Sequence, residues 1–201
     1  MSDSEEEYRS KLYTKTGDKG TSALFNGERR PKNDAFFHSL GAIDELSATL
    51  GIALEHCIIE KNGLESYLEK LIVVMLDIGA CVATPLDNSK DSQINKTKFD
   101  DNRIKVIESW IDKVDSELPP LKCFIIPYRV GLASAHLHLA RTVCRRAERE
   151  MVGLSRHSFI PESVSIFINR LSDFLFAAAR YAAMKNGAKE DLWRGVTSEF
   201  S

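Results

Sequence analysis

Residues 161–186 read PESVSIFINRLSDFLFAAARYAAMKN, and this stretch decides the fold. Its apolar side chains recur at Val164, Phe167, Ile168, Leu171, Phe174, Leu175, Ala178 and Ala182. Steps of three and four residues gather them on one side of an α-helix, where each residue turns about 100°. Pro161 suits a first helical turn, because the N–H it lacks has no partner there. Ser158 upstream is a weak cap candidate. Asn169, Asp173, Phe176 and Arg180 follow at i, i+4, i+7 and i+11, so they share a second face beside the apolar stripe.

The same period extends outward along the chain. Residues 132–152 carry Leu132, Ala135, Leu139, Val143 and Ala147. Residues 103–117 carry Ile104, Ile107, Ile111 and Val114, then Leu118, and Pro119-Pro120 stops them. Residues 64–83 hold Leu64, Leu68, Leu71, Ile72, Met75, Ile78 and Val82; residues 35–56 hold Phe36, Leu40, Ile43, Leu46, Leu50 and Leu54. Between these segments, residues 84–102 read as a solvated loop around Pro85, Asp87, Asn88 and Ser89. The patch Cys123-Phe124-Ile125-Ile126, closed by Pro127, reads as a buried loop between helices rather than a strand. Residues 1–12 read as a mobile acidic tail and 188–201 as a second tail. Residues 13–34 show little periodicity. The expectation is an all-α protein: one five-helix bundle over residues 13–187 with a flexible N-terminal loop.

Composition narrows the function. The chain has 201 residues, 43% hydrophobic and 28% charged, with a net charge of −2. That is an ordinary globular balance with no global basic field for nucleic acid. No apolar run approaches the ~20 residues of a membrane span. The start, Ser2-Asp3-Ser4-Glu5-Glu6-Glu7, has neither the basic and apolar parts of a secretory signal nor the acid-free arginines of a mitochondrial presequence. A cytoplasmic location is expected, or the mitochondrial matrix for a eukaryotic source with an incomplete start. Four cysteines without a C-x-x-C pair read as buried thiols. The sequence has no H-E-x-x-H, no G-x-S-x-G and no Glu followed by His three residues on, which sets aside zincins, α/β-hydrolases and di-iron bundles.

Three places are more polar than packing requires. Thr14-Lys15-Thr16-Gly17-Asp18-Lys19-Gly20-Thr21-Ser22 is an exposed loop or a phosphate cradle, its glycines freeing backbone N–H groups to face an anion. Arg29-Arg30-Pro31-Lys32 follows it. On the segment 132–152, Arg141, Arg145 and Glu148 fall within about 60° of one another, with Arg149 at the edge. That face is a surface salt-bridge stripe or an anion site built from guanidinium forks. Asp44 and Glu45 lie in a mainly apolar helix, where a carboxylate wants a partner; Arg141 or Arg145 would serve.

The strings YTKTGDKGT (13–21), GERRPK (27–32), GAIDEL (41–46), RTVCRRAER (141–149) and NRLSDFLF (169–176) together resemble the PduO-type ATP:cob(I)alamin adenosyltransferases, in order and over roughly residues 12–187. The resemblance implies a ferritin-like helical bundle assembled as a homotrimer with active sites between subunits. It implies transfer of the 5′-deoxyadenosyl group of ATP to the cobalt of cob(I)alamin, with Mg²⁺ and with adenosylcobalamin and triphosphate as products. By position, Thr14, Lys15, Thr16, Gly17, Ser22, Lys32, Arg145, Arg146, Glu148, Arg149 and Asn169 would hold ATP. Asp44 would pair with Arg141, and these two with Arg145 form the implied catalytic set. Phe124, Phe176 and Phe200 would wall the cobalamin side, although by pattern alone Phe124 and Phe176 read as plain core. No protein-held metal site is implied. A cobalamin reductase and an adenosylcobalamin-dependent mutase are implied partners. Two departures stand out: the bulky run Tyr128-Arg129-Val130-Gly131 after Pro127, and Ala23 where a hydroxyl residue is common. The loop run motivates the alternative of a corrinoid carrier or chaperone that binds ATP and cobalamin with little turnover.

Overall fold

The computed structural model describes residues 13–193. The N-terminal tail and Phe200 lie outside them. In chain order the elements are β1 (Thr21–Ala23), β2 (Arg29–Pro31), α1 (Ala35–Glu60), α2 (Glu65–Val82), α3 (Asp91–Lys96), α4 (Asn102–Asp115), β3 (Ile125–Ile126), α5 (Leu132–Arg156), α6 (Glu162–Lys185) and β4 (Asp191–Leu192).

The long helices begin and end for local reasons. Asp34, in an extended conformation, accepts a hydrogen bond from the Phe36 N–H at 2.9 Å and so caps α1. Lys61 and Gly63 take positive φ and reverse the chain into α2. Gly131, at φ 89°, turns the chain into α5, and Glu60 of α1 accepts from the Ala133 N–H at 2.9 Å. A carboxylate at a helix N-terminus is favourable, because the first N–H groups have no partner within the helix.

Helix α1 packs on α2 and α5, and α6 on α5 and α4. Helices α1 and α5 are antiparallel: Ser39 Oγ donates to the Glu150 carbonyl at 3.1 Å, and at the other end His56 stacks on His136 at 4.5 Å. The stripes meet in one core. Leu46 and Leu50 of α1, Leu71 of α2, Ile107 of α4, Leu137 of α5 and Leu171 and Phe174 of α6 are all fully buried. Each contributes roughly 1.5–3 kcal/mol of burial. Tyr67, Trp110 and Phe174 close α2, α4 and α6 on one another, with the Tyr67 and Trp110 rings edge-to-face at 5.1 Å. None of the helices is long and apolar enough to cross a membrane among the described residues.

Four details differ from the sequence reading. There are six helices among the described residues, because α3 forms inside the segment read as a loop; it buries no side chain, so it has no apolar period to show. Residues 13–34 contain the antiparallel hairpin β1–β2. The Cys123–Pro127 patch contains a strand rather than a buried loop: β3 pairs antiparallel with β4, Ile125 opposite Leu192. Ser158 does not cap α6; its φ of 57° and its N–H bond to the Ser155 carbonyl close the end of α5. Pro161 occupies the cap position and α6 starts at Glu162.

Candidate functional site

The N-terminal loop is held by its own arginines. The Arg29 guanidinium donates to the Thr16 carbonyl at 2.7 Å and to the carbonyl and hydroxyl of Thr21. Arg30 pairs with Glu28 at 2.9 Å, lies 3.6 Å from Asp34 and covers the Phe36 ring. Both cations therefore fix the loop. Lys32 differs. Its N–H donates to the Gly20 carbonyl at 2.9 Å, and its ammonium lies over Gly17, where a Cβ would come within 3.1 Å of Nζ. A side chain at Gly17 would push the Lys32 ammonium aside by a few tenths of an ångström. Thr14 and Thr16 share a hydroxyl–hydroxyl bond at 2.9 Å. Thr14, Lys15, Thr16, Gly17, Ser22 and Lys32 thus lie on one hairpin and the loop that leads into it. The hairpin is tied to the C-terminal end of α2 by the Phe25 N–H bond to the Ala83 carbonyl.

The second group lies across α5 and α6. Asn169 donates to Glu148 at 2.9 Å and accepts from Arg170, which in turn pairs with Glu108 of α4. Arg146 forms an ion pair with Glu45 of α1. Arg145 and Arg149 are exposed, and neither forms an ion pair among the described residues. Two cations thus stand unneutralised beside a fixed amide–carboxylate pair, an arrangement able to receive an anion. Glu148 also lines a 510 Å³ cavity between the end of α5 and the start of α6.

Asp44 and Arg141 do not meet within the protomer. Glu45 faces Arg146, so Asp44 sits about 9 Å along the helix axis from the level of Arg141. Asp44 is exposed. Arg141 is half-buried over the Phe176 ring, 5.8 Å from its centroid, and its buried Nε has no hydrogen-bond partner. Burial first, then the neighbouring Arg145 charge, lowers the proton affinity of its guanidinium.

The aromatic residues occupy two places. Phe176 is half-buried against His138 and Arg141. Phe124 is 79% exposed, which removes the plain-core reading for it, and it meets Trp193 edge-to-face at 6.4 Å. Phe124, Ile125, Ile126, Pro127 and Trp193 line an open apolar cavity of 410 Å³. In the bulky run after Pro127, Val130 is buried, while Tyr128 is 44% exposed with the Arg129 guanidinium over its ring. Sequence reasoning missed Trp193, which follows a two-residue strand; it named Glu45 as a carboxylate in need of an arginine, and the partner is Arg146 rather than Arg141 or Arg145.

The sequence model of the family described as cobalamin adenosyltransferase matches residues 12–182. The chain belongs to this family. Its relatives include the corrinoid adenosyltransferase MMAB of Mus musculus, 45% identical over 92% of this chain and 77% of that protein. The corrinoid adenosyltransferase of Bacillus subtilis is 38% identical over 88% of this chain and 89% of that protein. A solved variant of the PduO-type ATP:corrinoid adenosyltransferase from Lactobacillus reuteri, complexed with cobalamin and ATP, superposes with a TM-score of 0.85 at 35% identity. It covers 92% of this chain and all of that one. This member of the cobalamin adenosyltransferase family therefore keeps the helical architecture of its relatives around the two groups of residues just described.

Proposed function

We infer that this chain transfers the 5′-deoxyadenosyl group of ATP to the cobalt of a reduced corrinoid. The Co(I) electron pair forms a bond to C5′, the C5′–oxygen bond breaks, and triphosphate leaves with that electron pair. Cobalt is itself the nucleophile, so the protein needs no side-chain nucleophile or base. Its work is alignment and stabilisation of the charge on the leaving group. The observation that carries this reading is the pair Arg145 and Arg149, exposed and free of ion pairs among the described residues, beside the Asn169–Glu148 bond. In this reading the hairpin residues Thr14, Lys15, Thr16, Gly17, Ser22 and Lys32 wrap the nucleotide, and Arg145, Arg149 and Asn169 hold its phosphates. Arg146 pairs with Glu45 across α1 and α5, at the border of the nucleotide site. Phe124 and Phe176 form the apolar wall on the corrin side.

Magnesium fits this site as a passenger of the triphosphate. Among the described residues no cluster of three acidic, His or Cys side chains could cage a metal ion, and Mg²⁺ characteristically keeps its waters and takes one or two carboxylates plus phosphates. In this reading Glu148 would supply one oxygen, and the bound ion would neutralise phosphate charge.

Asp44 and Arg141 are reconciled by assembly. Asp44 is exposed and Arg141 only half-buried, at different levels, which supports a pairing that joins two subunits of a homotrimer. An anaerobic assay with MgATP and chemically reduced cobalamin tests the activity. Catalytic formation of a light-sensitive adenosylcobalamin spectrum is expected, and its absence overturns the reading. Arg145→Ala lowers kcat at least about 100-fold, near 2.7 kcal/mol, with the helical circular dichroism unchanged.

A further inference from the structure

Arg180 is an arginine within the apolar face of α6, only 4% exposed. Its Nε donates to Glu190 at 2.7 Å, and one terminal nitrogen donates both to the other Glu190 oxygen at 3.0 Å and to the Pro119 carbonyl at 2.8 Å. This is a forked, charge-assisted contact with its geometry fixed from both sides. What it grips is the chain segment after α6. One residue beyond Glu190 the backbone enters β4, pairs with β3, and sends the Trp193 N–H to the Phe124 carbonyl at 2.8 Å. The Glu190 carboxylate also acts electrostatically on His138, which packs against Phe176.

The pair therefore stands between two aromatic places that are otherwise separate, Phe176 with His138 and Phe124 with Trp193. A two-stranded sheet of two residues per strand does not hold itself in water. Its exposed aromatic pair keeps a fixed place only if something buried holds the strand. The outward apolar surface of this corner is large: Phe124 is 79%, Trp193 54% and Leu121 49% exposed. Such a cluster at the mouth of a 410 Å³ open cavity is suited to a broad, flat, mainly apolar ligand face.

We propose that Arg180 and Glu190 are positioning residues for the corrin: their buried pair fastens β4 to β3 and so sets Trp193 beside Phe124 as part of the wall that receives the macrocycle. The proposal rests on the adenosyltransferase reading above. It assigns Trp193 to the corrinoid and leaves the nucleotide to the hairpin and to α5.

Three variants test it in the full-length protein. Glu190→Gln keeps the shape and removes the charge; Trp193→Ala removes the ring from an exposed position, where it does not threaten the fold; Trp193→Phe restores an aromatic. Steady-state assays are run with cobalamin and ATP varied separately. Glu190→Gln and Trp193→Ala each raise KM for cobalamin about tenfold and leave KM for ATP within about twofold, and Trp193→Phe recovers most of the loss. A second readout uses binding alone. The chain has two tryptophans, so a Trp110→Phe background leaves Trp193 as the single emitter. Its fluorescence falls saturably as cob(II)alamin is added, and Glu190→Gln weakens that titration about tenfold. An unchanged KM for cobalamin in both variants overturns the proposal, as does a parallel rise in both KM values. If cob(II)alamin quenches Trp193 yet the protein makes no adenosylcobalamin, the activity reading fails and the positioning role stands. If turnover is normal and Trp193 emission ignores cobalamin, the positioning role fails and the activity stands.

Discussion

At the scale of single residues, burial decides which groups titrate and which react. His138 lies 7% exposed between α5 and α6 with its ring edge-to-face on Phe176, and its Nδ1 has no hydrogen-bond partner. Burial, reinforced by the Arg141 cation and opposed by Glu190, pushes its imidazole down to about 4. The unfolded chain binds that proton near pH 6.5 and the folded chain resists it, so stability is full above about pH 6.5 and falls as the pH drops towards 4. The loss from this group is about 1–2 kcal/mol between pH 7 and pH 5. Urea unfolding at both pH values measures it, and His138→Gln reduces the difference by that amount; an equal difference in both proteins would refute the assignment. The thiols follow the same logic. Burial pushes Cys57 and Cys81 up to about 11 and Cys144 higher still, whereas Cys123 is exposed. Iodoacetamide at pH 7.5 therefore labels Cys123 in the native protein and all four cysteines only after denaturation, a pattern mass spectrometry reads directly.

At the scale of elements, legibility in the sequence tracks how much of an element's partner lies within it. Helix α6 was readable because its stripe from Val164 to Ala182 faces one core, and the period survives whatever packs on it. Helix α3 was not, since all six of its residues stay out of the core. The strand pair β3–β4 was not, since each strand has two residues and its partner lies more than sixty positions away. Arg180 read as one member of a polar face with Asn169 and Asp173; that it is buried follows from Glu190, which no period could place beside it. The arginines of the hairpin carried the same ambiguity: composition offered three neighbouring cations for phosphate, and only folding shows Arg29 and Arg30 already engaged. Asp34 joins these elements, capping α1 while approaching Arg30 of the hairpin. Asp34→Ala should cost about 1 kcal/mol in urea unfolding through loss of the cap. It should also raise KM for ATP several-fold, because the hairpin loses one of its ties to the bundle. Loss of stability with an unchanged KM for ATP would separate the cap from the site.

At the scale of the whole molecule, the open question is which chain completes which site. The protomer leaves Asp44 exposed and about 9 Å along the helix axis from the level of Arg141, as the neighbouring pair Glu45–Arg146 indicates. On the reading proposed above, Asp44 serves a site whose Arg141 belongs to another subunit. In a cyclic trimer each interface then joins Asp44 of one subunit to Arg141 of the next. Asp44→Asn and Arg141→Ala trimers are each inactive, because every interface lacks one partner. Co-expression of the two variants changes the count. Every mixed trimer contains one interface that takes Asp44 from the Arg141→Ala chain and Arg141 from the Asp44→Asn chain, and that interface is intact. Random assembly at equal amounts makes about a quarter of all interfaces intact, so about a quarter of wild-type activity returns. Pairing within a chain would give no recovery at any mixing ratio, because neither chain carries both residues. The same co-expressed sample, sized by light scattering, must elute as trimer for the arithmetic to apply. A quarter of the activity in that peak assigns Asp44 and Arg141 to opposite sides of one interface; none assigns them to the same chain.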